Sequence, residues 1–307
     1  MPVARGVHVR TSMSADVWQG VRDELTLWEA TGQQARFWFR DDDAICATPA
    51  LRRLEALASR HGIEIGIAII PGTAQPELVG YMGEHEASLH PMCHGWMHEI
   101  YKSIEFGEFG AGRPRQALRV DAVRALKRFQ SLFPGSFPVF VPPFGRLDTD
   151  FIPELLRIGF AGVSNKPSLT QSRLARVHAA FGWLPPSVPR FALAPALLDV
   201  HIDPIDWMRS TAHPEPAIAA QVLGELRLRR KGYVRQDAPI GILTHHLVHD
   251  EAIWTAVETL VGVLAECPAS TFARASVLAG ECRNTIRGGL PERAASKLQW
   301  RDAINYD

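Results

Sequence analysis

Cysteine is scarce in this chain. Its 307 residues include four, at positions 46, 93, 267 and 282, and no two have C-x-x-C spacing, which argues against a disulfide framework or a zinc knuckle. Net charge is absent too: Lys plus Arg and Asp plus Glu each total 33, with no long run of one sign. That balance removes the electrostatic case for a nucleic-acid partner or an anionic membrane surface. No apolar stretch is long enough to span a bilayer, and the first ten residues, with Arg5 and Arg10, lack the apolar region of a secretory signal. A soluble cytoplasmic protein without membrane insertion is expected. There is no internal repeat and no low-complexity segment.

What is present is an alternation of strand-like and helix-like segments, the pattern of a parallel sheet or barrel with helices outside. The reading gives a helix over 15–30 with Ser14 as cap, a strand over 35–41 and a helix over 49–61 with Leu51, Leu54, Leu57 and Ala58 on one face. A buried strand follows over 63–70, then a short helix over 76–86 and a strand over 87–93. Residues 99–114, with Phe106 and Phe109, form a candidate loop over a site. Further helices are expected over 116–133, 148–158 (capped by Asp148), 215–230 and 250–267, and strands over 137–141, 160–164, 196–202 and 239–244. An irregular crossover fills 165–195. The expected organisation is an N-terminal helical extension (1–34), a distorted (β/α) barrel of about seven parallel strands (35–279) and a polar C-terminal tail (280–307).

The chemistry-bearing residues fall where strands end. Asp41 and Asp42, His94 and His98, Asp203 and Asp206, and His245 each follow an expected strand, and in a β/α barrel those strand ends meet on one face. One Asp and two His supply the donors that a divalent ion takes in a catalytic site, leaving a second Asp to handle protons. His246 stands beside His245 and Asp203 near Asp206, so each place has a neighbouring alternative. Bland readings exist for each. A triple Asp is an ordinary solvated turn with Asp43 as cap, and i, i+4 His pairs also occur at 90/94 and 245/249. Their ordered co-occurrence favours the site.

In that order the residues resemble the polysaccharide deacetylases of carbohydrate esterase family 4. The family's patterns are an Asp pair after the first strand, H-x-x-x-H, R-x-P-[YF], D-x-x-D-W and L-x-H. This chain has Asp41-Asp42, His94 to His98, Val141-Pro142-Pro143-Phe144, Asp203 to Trp207 and Leu243-Thr244-His245, a match over roughly residues 35 to 250. Arg40-Asp41-Asp42-Asp43 with His94-Gly95 looks most like an intracellular branch associated with surface-polysaccharide biosynthesis.

The resemblance implies a hydrolase that removes an N-acyl group, acetyl above all, from an amino sugar or glycan precursor, with zinc as the expected ion. It implies Asp41 as general base, Asp42, His94 and His98 as metal ligands, and His245 as general acid hydrogen-bonded by Asp206. Pro143 and Phe144 would form the oxyanion and substrate wall, with the Phe144 N–H facing the oxyanion, and Trp207 and Leu243 would line an acyl pocket. The departure is Val141, where the family has the Arg that orients its catalytic Asp; Arg40 and Arg146 are the available substitutes. Strand alternation points Arg40 away from the face that Asp41 uses. Without a substitute, the chain would be a carbohydrate-binding relic or a hydrolase of another C–N bond, such as a cyclic ureide.

Overall fold

The computed structural model describes residues 16–101, 107–166 and 197–289. The expected Ser14 cap, Phe106 and most of the 165–195 crossover lie outside them.

The strands pair in the order β5 (Gly162–Val163), β4 (Val139–Val141), β3 (Leu89–His94), β2 (Ile65–Ile69), β1 (Ala35–Ala44), β9 (Ile240–Thr244), β6 (Val200–Ile202), all parallel. β10 (Ser270–Phe272) adds to the start of β1. The two end strands approach each other: Leu198 N–H donates to the Val163 carbonyl at 2.9 Å and Val200 N–H to that of Asn165 at 2.9 Å. The sheet is therefore curled into a distorted barrel, as the strand count in the sequence indicates. A small antiparallel hairpin, β7 (Ile205–Asp206) with β8 (Thr211–Ala212), stands after β6.

Side-chain alternation along the strands separates two cores. Phe37, Phe39, Ile65, Ile67, Ile69, Phe140, Ile240 and Ile242 face outward into one cluster with the surrounding helices. Trp38, Ala68, Met92, Val139, Val141, Val200 and Leu243 face inward and pack with Leu278, Ala279 and Cys282 of α8 (Ala275–Gly289), which plugs the end of the barrel opposite the strand C-termini. Gly241 is small because Trp38 crosses it: a Cβ there would lie 2.7 Å from the indole nitrogen.

The helices start and stop for local reasons. In α2 (Pro49–His61), Thr48 accepts from Leu51 N–H, proline occupies the first turn and Gly62 leaves in the left-handed region (φ 63°). Asp250 caps α7 (Glu251–Glu266) in the same way. α3 (Pro76–Glu84), α4 (Arg115–Leu132) and α5 (Ile152–Ile158) cover one side of the sheet, with Asp148 capping the short turn before α5. The first helix, α1 (Gln19–Ala30), starts later than the sequence suggested, because Asp16 receives Trp18 N–H at 2.9 Å ahead of it. Its Trp18, Val21, Leu25 and Trp28 join the outward core, and its buried Glu24 pairs with Arg230 of α6 (Glu215–Arg230). The expected boundary after residue 279 falls inside α8. No described helix is long and apolar enough to cross a membrane.

Candidate active site

The site is made by a change of period at the end of β1. Up to Asp41 the strand alternates strictly: Trp38 and Arg40 point into the barrel, while Phe37, Phe39 and Asp41 point out. Its pairing with β2 then shifts register, Asp41 opposite Ile67 but Ala44 opposite Ile69, so one extra residue is accommodated. This is a β-bulge, and Asp43 sits in it with φ 74°. The bulge lets two successive carboxylates, Asp42 and Asp43, reach the same mouth.

Asp43 reaches the histidines. Its Oδ1 lies 3.0 Å from His94 Nε2 and 3.1 Å from His98 Nε2, and the three donor atoms lie within 4.8 Å of one another. His94 Nδ1 lies 3.1 Å from the Val141 carbonyl, which can only accept, so that nitrogen keeps a proton; Nε2 donates to Asp43 here and is the nitrogen whose lone pair an ion would take once its proton is lost. Burial raises the Asp43 pKa, but hydrogen bonds from His94 and His98 outweigh it and hold the carboxyl well below the usual range. Two imidazole nitrogens and one carboxylate oxygen facing an open side fit a divalent ion of the zinc type. The sequence reading put Asp42 in this set; the bulge puts Asp43 there.

Asp42 is held by Arg40 instead. Arg40 Nη2 donates to Asp42 Oδ2 at 2.9 Å, and Nε lies 2.8 Å from Oδ1 as an ion-pair contact outside hydrogen-bonding geometry, with both side chains almost wholly buried. The remaining arm of the guanidinium donates to Ser164 Oγ at 2.6 Å, and Ser164 Oγ donates to the Leu198 carbonyl at 2.5 Å. Arg40 thus gives Asp42 a guanidinium partner that Val141 cannot supply. Arg40 indeed points away from Asp41, and for the same reason it shares a face with Asp42, two residues on.

Asp41, the expected base, lies outside the barrel wall. It is fully buried; Oδ2 accepts from Thr244 Oγ1 at 2.6 Å and from His246 N–H at 2.9 Å, and Oδ1 pairs with His246 Nδ1. A carboxylate so enclosed has no route to a substrate water. Burial disfavours charge on His246, but Asp41 outweighs it and raises the His246 pKa. That stabilisation should be complete below the unfolded-state value of about 6.5 and fade as pH rises through the raised folded-state value. Urea titrations of wild type and His246→Gln across pH 6–9 should therefore show a stability difference that is largest at the acid end.

His245 belongs to the mouth, with Nε2 3.9 Å from Asp42 Oδ2 and its ring edge-on to Trp207 at 4.6 Å. Asp206 does not reach it as expected. In the tight β7–β8 hairpin Asp206 folds back on its own turn, where it accepts from Met208 N–H at 3.1 Å and Arg209 N–H at 3.3 Å and pairs with Arg209 Nη1 at 2.8 Å. Asp203 instead accepts from Trp207 Nε1 at 3.0 Å and pairs with Lys166 at 2.7 Å, fixing the indole that backs His245. Phe144 packs against the His98 ring, tilted by 50° with centroids 4.2 Å apart, from a left-handed backbone (φ 58°), and Pro143 packs against Gly95. Leu243, buried in the inward core, pairs with Arg40 in register.

A Mycobacterium smegmatis protein provisionally described as a polysaccharide deacetylase matches the structure with a TM-score of 0.54 at 15% identity, over 83% of this chain and 92% of that one. The fold is that of the polysaccharide deacetylases. Two other solved structures align over most of both chains. One is a peptidoglycan N-acetylglucosamine deacetylase, with a TM-score of 0.49, 11% identity and coverage of 82% of this chain and 95% of that one. The other is a family 4 carbohydrate esterase from Streptomyces lividans in complex with acetate, with a TM-score of 0.47, 12% identity and coverage of 79% and 93%. No family model matches the sequence, and no curated protein does.

Within this deacetylase fold, two residues that sequence reasoning missed support the mouth. Ser164, at the end of β5, anchors Arg40. Glu108, fully buried, accepts from the backbone N–H groups of Trp96, Met97 and His98. Neither has a motif to announce it; the nearest signal for Glu108 was the position of its loop, directly after the His pair.

Proposed function

We propose that the chain is a metal-dependent amidohydrolase that removes an N-acyl group, acetyl above all, from an amino sugar or glycan precursor. The observation that carries this reading is the pair of adjacent carboxylates with separate surroundings: Asp43 with two imidazoles, and Asp42 clamped by Arg40 beside His245. Asp43, His94 and His98 would hold the ion. When bound, it supplies Lewis-acid polarisation of the acyl carbonyl and acidifies water.

The remaining work falls to side chains. Asp42 is aimed into the mouth by the Arg40 guanidinium, which donates to one of its oxygens, and it takes the proton of the attacking water. His245, its ring held edge-on by Trp207, delivers a proton to the departing nitrogen, without which an amine leaves poorly. Trp207, steadied by Asp203, and Phe144, packed against His98, wall the space where the acyl group and sugar sit. Arg40 weighs against reading the chain as a relic, since it gives the proposed base an orienting partner. A cytoplasmic setting would make the substrate a nucleotide- or lipid-linked precursor.

Acetate release from a panel of N-acetylated amino sugars, assayed with added zinc and after chelation, tests the reading. Release that stops on chelation and returns with metal is expected. A metal-loaded protein that releases acetate from none of them but opens a cyclic ureide would move the assignment to the other C–N substrate class.

A further inference from the structure

Between His94 and His98 the chain reverses within three residues. Two of the backbone positions that achieve this are left-handed, Gly95 at φ 57° and His98 at φ 59°. His98 is not a glycine, so this conformation is strained and persists only where the surroundings enforce it. Gly95 could not be replaced, because a Cβ would lie 2.4 Å from both Glu108 Oε2 and Pro143 Cγ. The reversal aims the N–H groups of Trp96, Met97 and His98 at one point, and the Glu108 carboxylate occupies it at 2.9, 2.8 and 3.3 Å. Successive amides arranged this way form an anion-binding nest; here the anion is a side chain of the same molecule.

Glu108 is itself fixed. Arg113 Nη1 donates to its backbone carbonyl at 2.6 Å while Arg113 Nη2 engages Asp121 at 2.8 Å, so the guanidinium holds the main chain and leaves the carboxylate to the nest. Phe144 closes the other side of the His98 ring.

We propose that Glu108 is a positioning residue that pre-orders the His94–His98 turn and thereby sets the affinity of the site for its ion. The inference rests on the metal-site reading above. Ordering the backbone of this turn opposes binding, and with Glu108 in place that ordering is completed on folding rather than on metal binding.

Three measurements test it. Zinc affinity by competition with a chromophoric chelator should fall about 10- to 100-fold in Glu108→Gln, as for other outer partners of metal ligands, while the metal-free circular dichroism spectrum stays native. The cobalt(II)-substituted visible spectrum should change as well, which a merely stabilising residue would not cause. In wild-type protein without metal, the amides of Trp96, Met97 and His98 should already resist hydrogen exchange; this arm needs no variant. Unchanged zinc affinity and cobalt spectrum in folded Glu108→Gln would overturn the proposal, and so would free exchange of the three amides until metal is added. A wild-type protein that binds neither ion would overturn the metal-site reading and this inference with it.

Discussion

Asp42→Asn is expected to reduce turnover by about 10²–10⁴-fold, the worth of a positioned general base, while metal content stays near that of the wild type. Asn keeps the shape and part of the contact with Arg40 but cannot accept the proton. Asp43→Asn should behave differently, losing metal together with activity, because the oxygen it alters is the one 3.0 and 3.1 Å from the two imidazole nitrogens. Asp41→Asn should act mainly on stability, through the buried contact with His246. Metal analysis of the three purified variants alongside acetate-release rates distinguishes the roles. If Asp41→Asn proved the inactive, metal-replete variant, the base would be Asp41 and the assignment made from the bulge would be wrong.

The second large effect concerns Arg40. Arg40→Met leaves Asp42 buried, charged and unpaired, which should cost about 3–5 kcal/mol of stability, read as a lowered urea midpoint. Activity should fall with it, since Asp42 loses the guanidinium that orients it. The double variant Arg40→Met/Asp42→Leu should recover much of the lost stability and remain inactive, because an apolar pair of similar volume avoids the desolvation of two ions. A double variant no more stable than Arg40→Met would show that the loss comes from the shape of the barrel interior. Arg40→Lys should retain more stability than Arg40→Met but not full activity, since an ammonium cannot reproduce the planar guanidinium that holds Asp42 and Ser164 from separate arms.

The sequence by itself determined the architecture and the neighbourhood of the site. The period-two and period-3.6 patterns located the strands and helices to within a few residues, for instance β1 from Ala35, α2 over Pro49–His61 and α6 over Glu215–Arg230, and the polar groups at strand ends identified the face where they meet. Local periodicity holds this information because each element buries a regular stripe.

The division of labour inside the site was decided only by the tertiary structure. Alternation, read from Trp38 and Arg40 inward, already puts Asp42 in the mouth and Asp41 in the wall, but it cannot foresee a bulge that depends on pairing with β2, and that one extra residue is what brings Asp43 to the two imidazoles. With Asp42 facing inward, the same alternation explains why Arg40 can partner it where Val141 cannot. Asp206 was misread because its D-x-x-D-W spacing says nothing of the hairpin that folds it onto Arg209. Glu108 left no trace in any pattern, since three backbone amides carry no side-chain signature. A strand's period is a local property of the chain. The partner of a carboxylate in a barrel mouth depends on which segments register, bulge and reverse, and those are settled by contacts between distant parts of the molecule.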